Sequence, residues 1–234
     1  MVRAYLYLAV FIPLTLLFSV SAIISTLFDA SGRLYAWHAR LWARLGLAMN
    51  GITVTLTGTE HLPDGPVIFM SNHQSNFDIL SLLAAIPNQI HWIAKKELFE
   101  IPVFGPSMRR GGYIPLDRGD GRKALQSMDE AAAMIRHGKS VVLFPEGTRT
   151  PDGNLLPFKR GGFILARKAA VPVIPVTING SGRINPANQI KLYSGDITIT
   201  LHPPVVAPSE LRRTESETWM METVRDRIES TLEH

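Results

Sequence analysis

The chain has no cysteine, which excludes disulfides, thiolate metal sites and covalent catalysis through a cysteine. It also lacks a G-x-S-x-G elbow, so the usual serine-hydrolase nucleophile is missing. No spacing of His, Asp and Glu resembles a zinc site. There is no helix-turn-helix, zinc-finger or aromatic-basic signature, so nucleic acid is not an expected partner. Gly138-Lys139-Ser140 looks like the end of a phosphate-binding P-loop. The earlier glycine position holds Ala133, however, and the segment precedes a strand instead of following one. Asn179-Gly180-Ser181 fits the glycosylation pattern and reads as a turn. Internal repeats and low-complexity linkers are absent as well.

What is present suffices for one good core, since 46% of the 234 residues are hydrophobic. Lys and Arg number 24 against 20 acidic residues, which gives a net charge of +4. The excess is uneven. Lys95, Lys96, Arg109, Arg110, Arg118, Arg122, Lys123, Lys159, Arg160, Arg167 and Lys168 crowd the middle of the chain. Such a field draws anions or an anionic membrane surface.

Residues 4–28 carry no charge, a run of 25 that is long enough to cross a ~30 Å hydrocarbon layer. Arg3 precedes the run, and Arg33, Arg40 and Arg44 follow it. By the positive-inside bias the remainder lies on the cytoplasmic side. Ser19-Val20-Ser21-Ala22 vaguely resembles a signal-peptide cleavage site. The reading is disfavoured because the n-region is thin and the apolar run continues through Ile23, Ile24 and Leu27. Pro13 is expected to kink the helix. Residues 34–49 mix Trp37, Leu41, Trp42, Leu45 and Leu47 with arginines. That composition suits an interfacial helix with aromatic anchors, or a helix simply packed on the domain that follows. A full span and a hairpin dipping into one leaflet both fit. Residues 1–50 are thus expected to be a membrane-anchoring pair of helices, and residues 51–231 one α/β domain. Leu232-Glu233-His234 resembles the stub of an expression tag and is set aside.

From Gly51 onward short apolar runs alternate with helical patterns. Strands are predicted at 52–57, 67–70, 90–94, 112–116, 140–144, 173–178 and 197–201. The clearest helix puts Ala124, Leu125, Met128, Ala131, Ala132 and Ile135 on one face, and 214–232 reads as a closing amphipathic helix. Strand–helix alternation predicts a mostly parallel sheet covered by helices on both faces, an α/β fold.

The densest chemistry lies in Asn72-His73-Gln74-Ser75-Asn76-Phe77-Asp78. His73 ends the apolar run 67–70, and Asp78 opens a second run, 79–86, that reads as a helix. In one continuous helix residues five apart do not face each other, given ~3.6 residues per turn. A strand end followed by a helix start removes that limit. Asp78 can then fold back onto the His73 ring, which makes a base and its orienting carboxylate. Ser75 and Asp78 equally fit a capping box, and His73 equally fits a structural residue at a strand end. Further on, the apolar strand 141–144 runs into Pro145-Glu146-Gly147-Thr148-Arg149. Proline stops the strand, glycine permits a sharp path, and Glu146 and Arg149 stand beyond a strand end, where α/β sheets hold ligands. Alone, this segment also fits a turn with an ion pair.

Together these segments resemble the glycerolipid acyltransferases, and most closely the 1-acylglycerol-3-phosphate O-acyltransferase (lysophosphatidic acid acyltransferase) family. Asn72-His73 to Asp78 matches N-H-x4-D. Gly112-Tyr113-Ile114-Pro115-Leu116-Asp117-Arg118 resembles the block ending in a substrate-binding arginine, with Pro115 departing from the usual aromatic or aliphatic residue. Phe144 to Arg149 matches F-P-E-G-T-R, and Val171-Pro172-Val173-Ile174-Pro175-Val176 matches the last apolar block.

The resemblance spans roughly residues 50–205. It implies transfer of a fatty acyl group from acyl-CoA or acyl-ACP to the sn-2 hydroxyl of 1-acyl-glycerol 3-phosphate. The product would be phosphatidic acid, in phospholipid biosynthesis. Glycerol 3-phosphate or another lysophospholipid is the alternative acceptor, and a non-catalytic membrane lipid-binding protein the alternative role. His73 would be the base and Asp78 its partner. Arg118 and Arg149 would hold the acceptor phosphate, with Glu146, Gly147 and Thr148 lining the same site. Glu146 would bind the glycerol hydroxyl or orient Arg149. Backbone N–H groups near Gly147 would hold the oxyanion. Lys95, Lys96, Lys159 and Arg160 would meet the donor carrier. No cofactor is expected beyond the acyl thioester, and a lipid bilayer is an expected partner. The site would face the cytoplasm at the inner or plasma membrane.

Overall fold

The computed structural model describes residues 1–117 and 121–233, with the side chains of 121–125 outside that description. Among the described residues seven strands make one sheet, in the order β1-β7-β6-β2-β5-β3-β4. They are β1 Ile52–Thr57, β2 Ile68–Ser71, β3 Ile90–Lys95, β4 Ile114–Leu116, β5 Ser140–Leu143, β6 Val173–Asn179 and β7 Gly195–Leu201. All neighbours are parallel except β6 and β7. Every predicted strand forms, with bounds shifted by two residues at most: β4 starts at Ile114, because Gly112 at φ 73 turns the chain out of the preceding helix.

The helices are α1 Val2–Ser25, α2 Arg33–Ala48, α3 Phe77–Ala85, α4 Phe104–Arg110, α5 Gly121–Arg136, α6 Gly161–Ala169, α7 Ser181–Ile184 and α8 Arg213–Glu229. The central strands are buried on both faces, which is why they read as unbroken apolar runs. In β2 the pleat sends Phe69 to one core and Ile68 and Met70 to the other. The first core lies under α1, α2 and α3, with Ala4, Ala43, Leu47 and Leu82 buried in it. The second lies under α5, α6 and α8, with Ile135, Phe163 and Val224 buried. The block Val173–Val176 is core strand on both faces.

The N-terminal helices lie along the domain. Arg3 reaches the Asn50 carbonyl, Tyr7 meets Phe77 at 5.8 Å, and Phe11 stacks on Trp42 at 5.2 Å. Trp42 donates its indole N–H to Thr15 Oγ1 at 2.9 Å, and Arg40 caps the Ile86 carbonyl at 2.8 Å. The opposite face of α1 leaves Leu6, Val10, Leu17, Val20 and Ile24 exposed. At the other terminus, the residues set aside as a tag take part in the fold. Leu232 is buried, the Glu233 N–H donates to Asn179 Oδ1 at 3.0 Å, and the Glu233 carboxylate pairs with Arg183 at 2.8 Å.

Candidate active site

β2 and β5 are adjacent, parallel and central, so their C-terminal ends bring the two motifs together at one sheet edge. Asn72 pins the end of β2. Its side chain accepts the Ile178 N–H at 2.7 Å and donates to the Ile178 carbonyl at 2.8 Å, so the amide acts as one more rung of the β2–β6 ladder.

His73 comes next, with its side chain 14% exposed. Its Nδ1 lies 2.8 Å from Asp78 Oδ2. The carboxylate can only accept, so the shared proton belongs to Nδ1 and the lone pair to Nε2. The same Oδ2 accepts the N–H groups of Gln74 and Ser75, each at 2.8 Å. Asp78 therefore closes the turn that leads into α3 and orients the ring at once; Ser75 Oγ takes the Phe77 N–H at 3.2 Å. The His73 ring lies flat on Phe144, with centroids 3.8 Å apart and planes 7° from parallel, and Trp92 stacks behind at 5.6 Å. The ring is thus fixed on one face and at one nitrogen. Nε2 has no hydrogen-bond partner among the described residues.

Glu146 sits behind this group and is only 2% exposed. Its Oε1 accepts the His73 N–H at 2.7 Å, and its Oε2 accepts the Leu156 N–H at 2.9 Å. Neither oxygen bonds Arg149, so the carboxylate ties the His73 backbone to the loop after β5. Burial pushes its pKa up to about 7 against the pull of those two N–H groups; Asp78 pushes the same way and Arg225 opposes it. A second tie runs from the Thr150 N–H to the His73 carbonyl at 2.8 Å.

Gly147 has φ 75, a conformation that favours glycine, and an added Cβ would lie 2.9 Å from Lys159 Nζ. Its own N–H donates to the Phe144 carbonyl at 3.1 Å. The N–H groups of Thr148 and Arg149 donate to nothing among the described residues.

His73, Gly147, Thr148 and Arg149 edge a cavity of about 420 Å³. Its interior is largely apolar and is walled by Phe18 and Ala22 of α1, Tyr35 and Trp42 of α2, Trp92 of β3 and Met108 of α4. The sequence presents α1 as a membrane helix and α2 as an interfacial helix or one packed on the domain, and neither reading puts them in the wall of this cavity. A clue existed in Thr15 and Ser19, polar breaks on one face of the apolar run, and both line the cavity.

The basic residues divide. Lys95 lines the cavity mouth with its side chain 60% exposed. Lys159 covers Gly147. Lys96 pairs with Asp117 at 2.8 Å, which holds its ammonium above the usual lysine range. Arg160 pairs with Glu217 of α8 at 2.9 Å, beside Arg167. Arg118 lies outside the described residues, as do the side chains of Arg122 and Lys123.

The Acyltransferase family matches residues 53–179, which takes in both motifs. A 1-acyl-sn-glycerol-3-phosphate acyltransferase of Brassica napus is 38% identical over 183 residues, covering 76% of this chain and 53% of that protein. The human 1-acyl-sn-glycerol-3-phosphate acyltransferase alpha is 35% identical over 159 residues, covering 67% and 56%. The chain thus spans about half the length of these relatives. The crystal structure of the 1-acyl-sn-glycerophosphate acyltransferase PlsC from Thermotoga maritima superposes with a TM-score of 0.81 at 25% identity, covering 97% of this chain and 94% of that one. With the family match spanning more than half of the chain and both strand-end motifs, the chain belongs to the acyltransferase family.

Proposed function

We propose that this chain transfers a fatty acyl group from an acyl thioester to the sn-2 hydroxyl of 1-acyl-glycerol 3-phosphate, giving phosphatidic acid. One observation carries the reading: an oriented imidazole, with Nε2 unpartnered among the described residues, stands at the mouth of an apolar cavity beside an arginine. The named relatives supply the acceptor class.

An alcohol is a weak nucleophile at neutral pH, and a positioned base contributes ~10²–10⁴-fold. His73 Nε2 takes the hydroxyl proton as the oxygen bonds to the thioester carbonyl carbon. Asp78 steadies the imidazolium that forms. The tetrahedral oxyanion meets the N–H groups of Thr148 and Arg149, which donate to nothing else among the described residues. As it collapses, the carbon–sulfur bond breaks and the imidazolium returns its proton to the departing thiolate. No side chain carries the acyl group, so both substrates are bound together. The cavity takes the acyl chain, and Arg149, with Arg118, takes the acceptor phosphate in a fork that lysine does not offer. Lys95, at the cavity mouth, and Lys159, over Gly147, meet phosphates of the donor carrier, CoA or acyl carrier protein.

The exposed face of α1 lies in a bilayer, where acceptor and product reside, and the arginines of α2 keep the domain on the cytoplasmic face. An acceptor panel tests the reading. Lysophosphatidic acid should be turned over in preference to glycerol 3-phosphate and to monoacylglycerol. Arg149→Ala should raise KM for the phosphorylated acceptor by the loss of a charge-assisted bond, about 2–3 kcal/mol. Equal losses on phosphorylated and unphosphorylated acceptors would remove the phosphate assignment.

A further inference from the structure

We propose that Arg225, on α8 and outside the stretch matched by the family, is a positioning residue for His73, acting through the loop peptides of Leu155 and Leu156 and the Glu146 carboxylate. Its kinetic consequences rest on the proposed acyl transfer.

The observation that needs explaining is the Leu156 N–H. It supplies half of the hold on buried Glu146, yet the segment from Pro151 to Lys159 contains neither helix nor strand. A loop N–H is only as well aimed as its peptide plane. Arg225 holds that plane. Its Nη2 donates to the Leu155 carbonyl at 3.4 Å and its Nη1 to the Leu156 carbonyl at 3.0 Å, so the guanidinium bridges two successive peptides. The Leu155 carbonyl and the Leu156 N–H belong to one planar trans unit and point in opposite directions. One end of that unit is gripped by Arg225 and the other by Glu146 Oε2 at 2.9 Å. The chain continues from Glu146 Oε1 to the His73 N–H at 2.7 Å. The result is a hydrogen-bonded line from α8 to the catalytic histidine. A carbonyl drawn on by a cation makes its own N–H a stronger donor.

Two further contacts fix the arginine. Its guanidinium carbon lies 5.5 Å from the centre of the Phe158 ring, and its Nε lies 3.8 Å from Glu229. The helix does not depend on it for attachment, since Met220, Val224 and Ile228 of α8 are buried in the core while the Arg225 side chain is 33% exposed. Arg225 also acts through charge. Asp78 at the start of α3 disfavours the ionised form of Glu146, and Arg225 favours it.

The test compares wild type, Arg225→Gln, Arg225→Lys and Arg167→Gln, all full-length in detergent micelles. Arg167→Gln is the control, because it cuts a tie between α6 and α8 that leads to Glu217 and not to the site. Arg225→Gln should lower kcat by about tenfold or more with KM little changed, the signature of a displaced base. The acid limb of its pH profile should move to higher pH, because Glu146 loses the cation that favours its carboxylate. Arg225→Lys should recover the pH profile but only part of kcat, since it keeps the charge and grips one carbonyl. In isotope-labelled protein without substrate, the His73 ring resonances should move in Arg225→Gln and stay in Arg167→Gln. That last readout needs no turnover, so it stands even where wild type fails on lysophosphatidic acid and the proposed activity falls. A wild-type kcat and pH profile in Arg225→Gln, or His73 resonances that do not move, would overturn the proposal. So would losses matched by Arg167→Gln at equal thermal destabilisation.

Discussion

Glu146→Gln should leave the fold nearly as stable as before and still cripple turnover. The reasoning starts from the two N–H groups, of His73 and Leu156, that aim at the two carboxylate oxygens. A glutamine has one oxygen and one NH2. Whichever way it turns, one buried N–H faces a donor, at a cost of about 1–3 kcal/mol. Against this, the carboxylate is held in a site that raises its pKa from 4.5 to about 7. Keeping it ionised above neutral pH therefore costs about 3 kcal/mol, which the neutral glutamine avoids. The two contributions oppose each other, so the net change should be within about 2 kcal/mol, or a melting shift of about 6 °C or less. The catalytic effect has no such compensation. If the His73 peptide loses its acceptor, a base displaced by about 1 Å costs on the order of 10²-fold in kcat. The measurements are a thermal melt above neutral pH and steady-state kinetics on the same preparation. Near wild-type kcat would refute the positioning role. A melting point too low to leave folded protein at the assay temperature would refute the balance of energies.

His202 and Glu146 should bend the stability profile in opposite directions. His202 is buried on Thr177, and burial with the nearby Arg227 and His61 charges pulls its pKa from 6.5 to about 4. The unfolded chain then binds the proton first, so the His202 contribution is full above pH 6.5 and is lost as pH falls to about 4. Glu146 is raised, so its contribution is full below pH 4.5 and is lost as pH rises through about 7. Denaturant unfolding of His202→Gln should therefore show stability falling across that window, where wild type stays comparatively level; parallel curves would count against the His202 account. On the membrane side, the double substitution Leu17→Glu with Val20→Glu puts two charges on the exposed face of α1. It should release the protein from anionic vesicles in a flotation assay without lowering its melting point. Unchanged flotation would remove the anchoring role of that face.

Much of this was legible in the residues. The strands announced themselves because a parallel sheet buried on both faces needs continuous apolar runs, bounded here by Gly65, Pro66 and Pro145. His73 and Asp78 were readable because only a strand-to-helix turn reconciles a spacing of five with contact. α6 was not located, because it opens on Gly161 and Gly162, poor helix formers. Gly162 is there for closeness: an added Cβ would lie 2.9 Å from Leu143 Cδ1. α4 is only seven residues long and contains Gly105 and Pro106. The role of Glu146 was hidden because its partners are backbone groups, one of them 73 residues away. Backbone partners leave no mark on sequence. Arg225 belongs to no motif for the same reason. In α1 only Thr15 and Ser19 set the face carrying Phe18 and Ala22, which line the cavity, apart from the one exposing Leu17 and Val20, a faint mark in a run that is otherwise mostly apolar.

The central claim is that His73 Nε2, held by Asp78 and Phe144, is the base for direct acyl transfer to an alcohol. Thiol release from an acyl-CoA, followed with and without lysophosphatidic acid, tests it most directly in wild type and His73→Ala. Wild type should release thiol only when the acceptor is present, in step with phosphatidic acid formation. His73→Ala should lose about 10²–10⁴-fold in kcat while keeping its melting point, because the ring stands at a strand end outside both cores. Acceptor-dependent thiol release at the wild-type rate by folded His73→Ala would contradict the account.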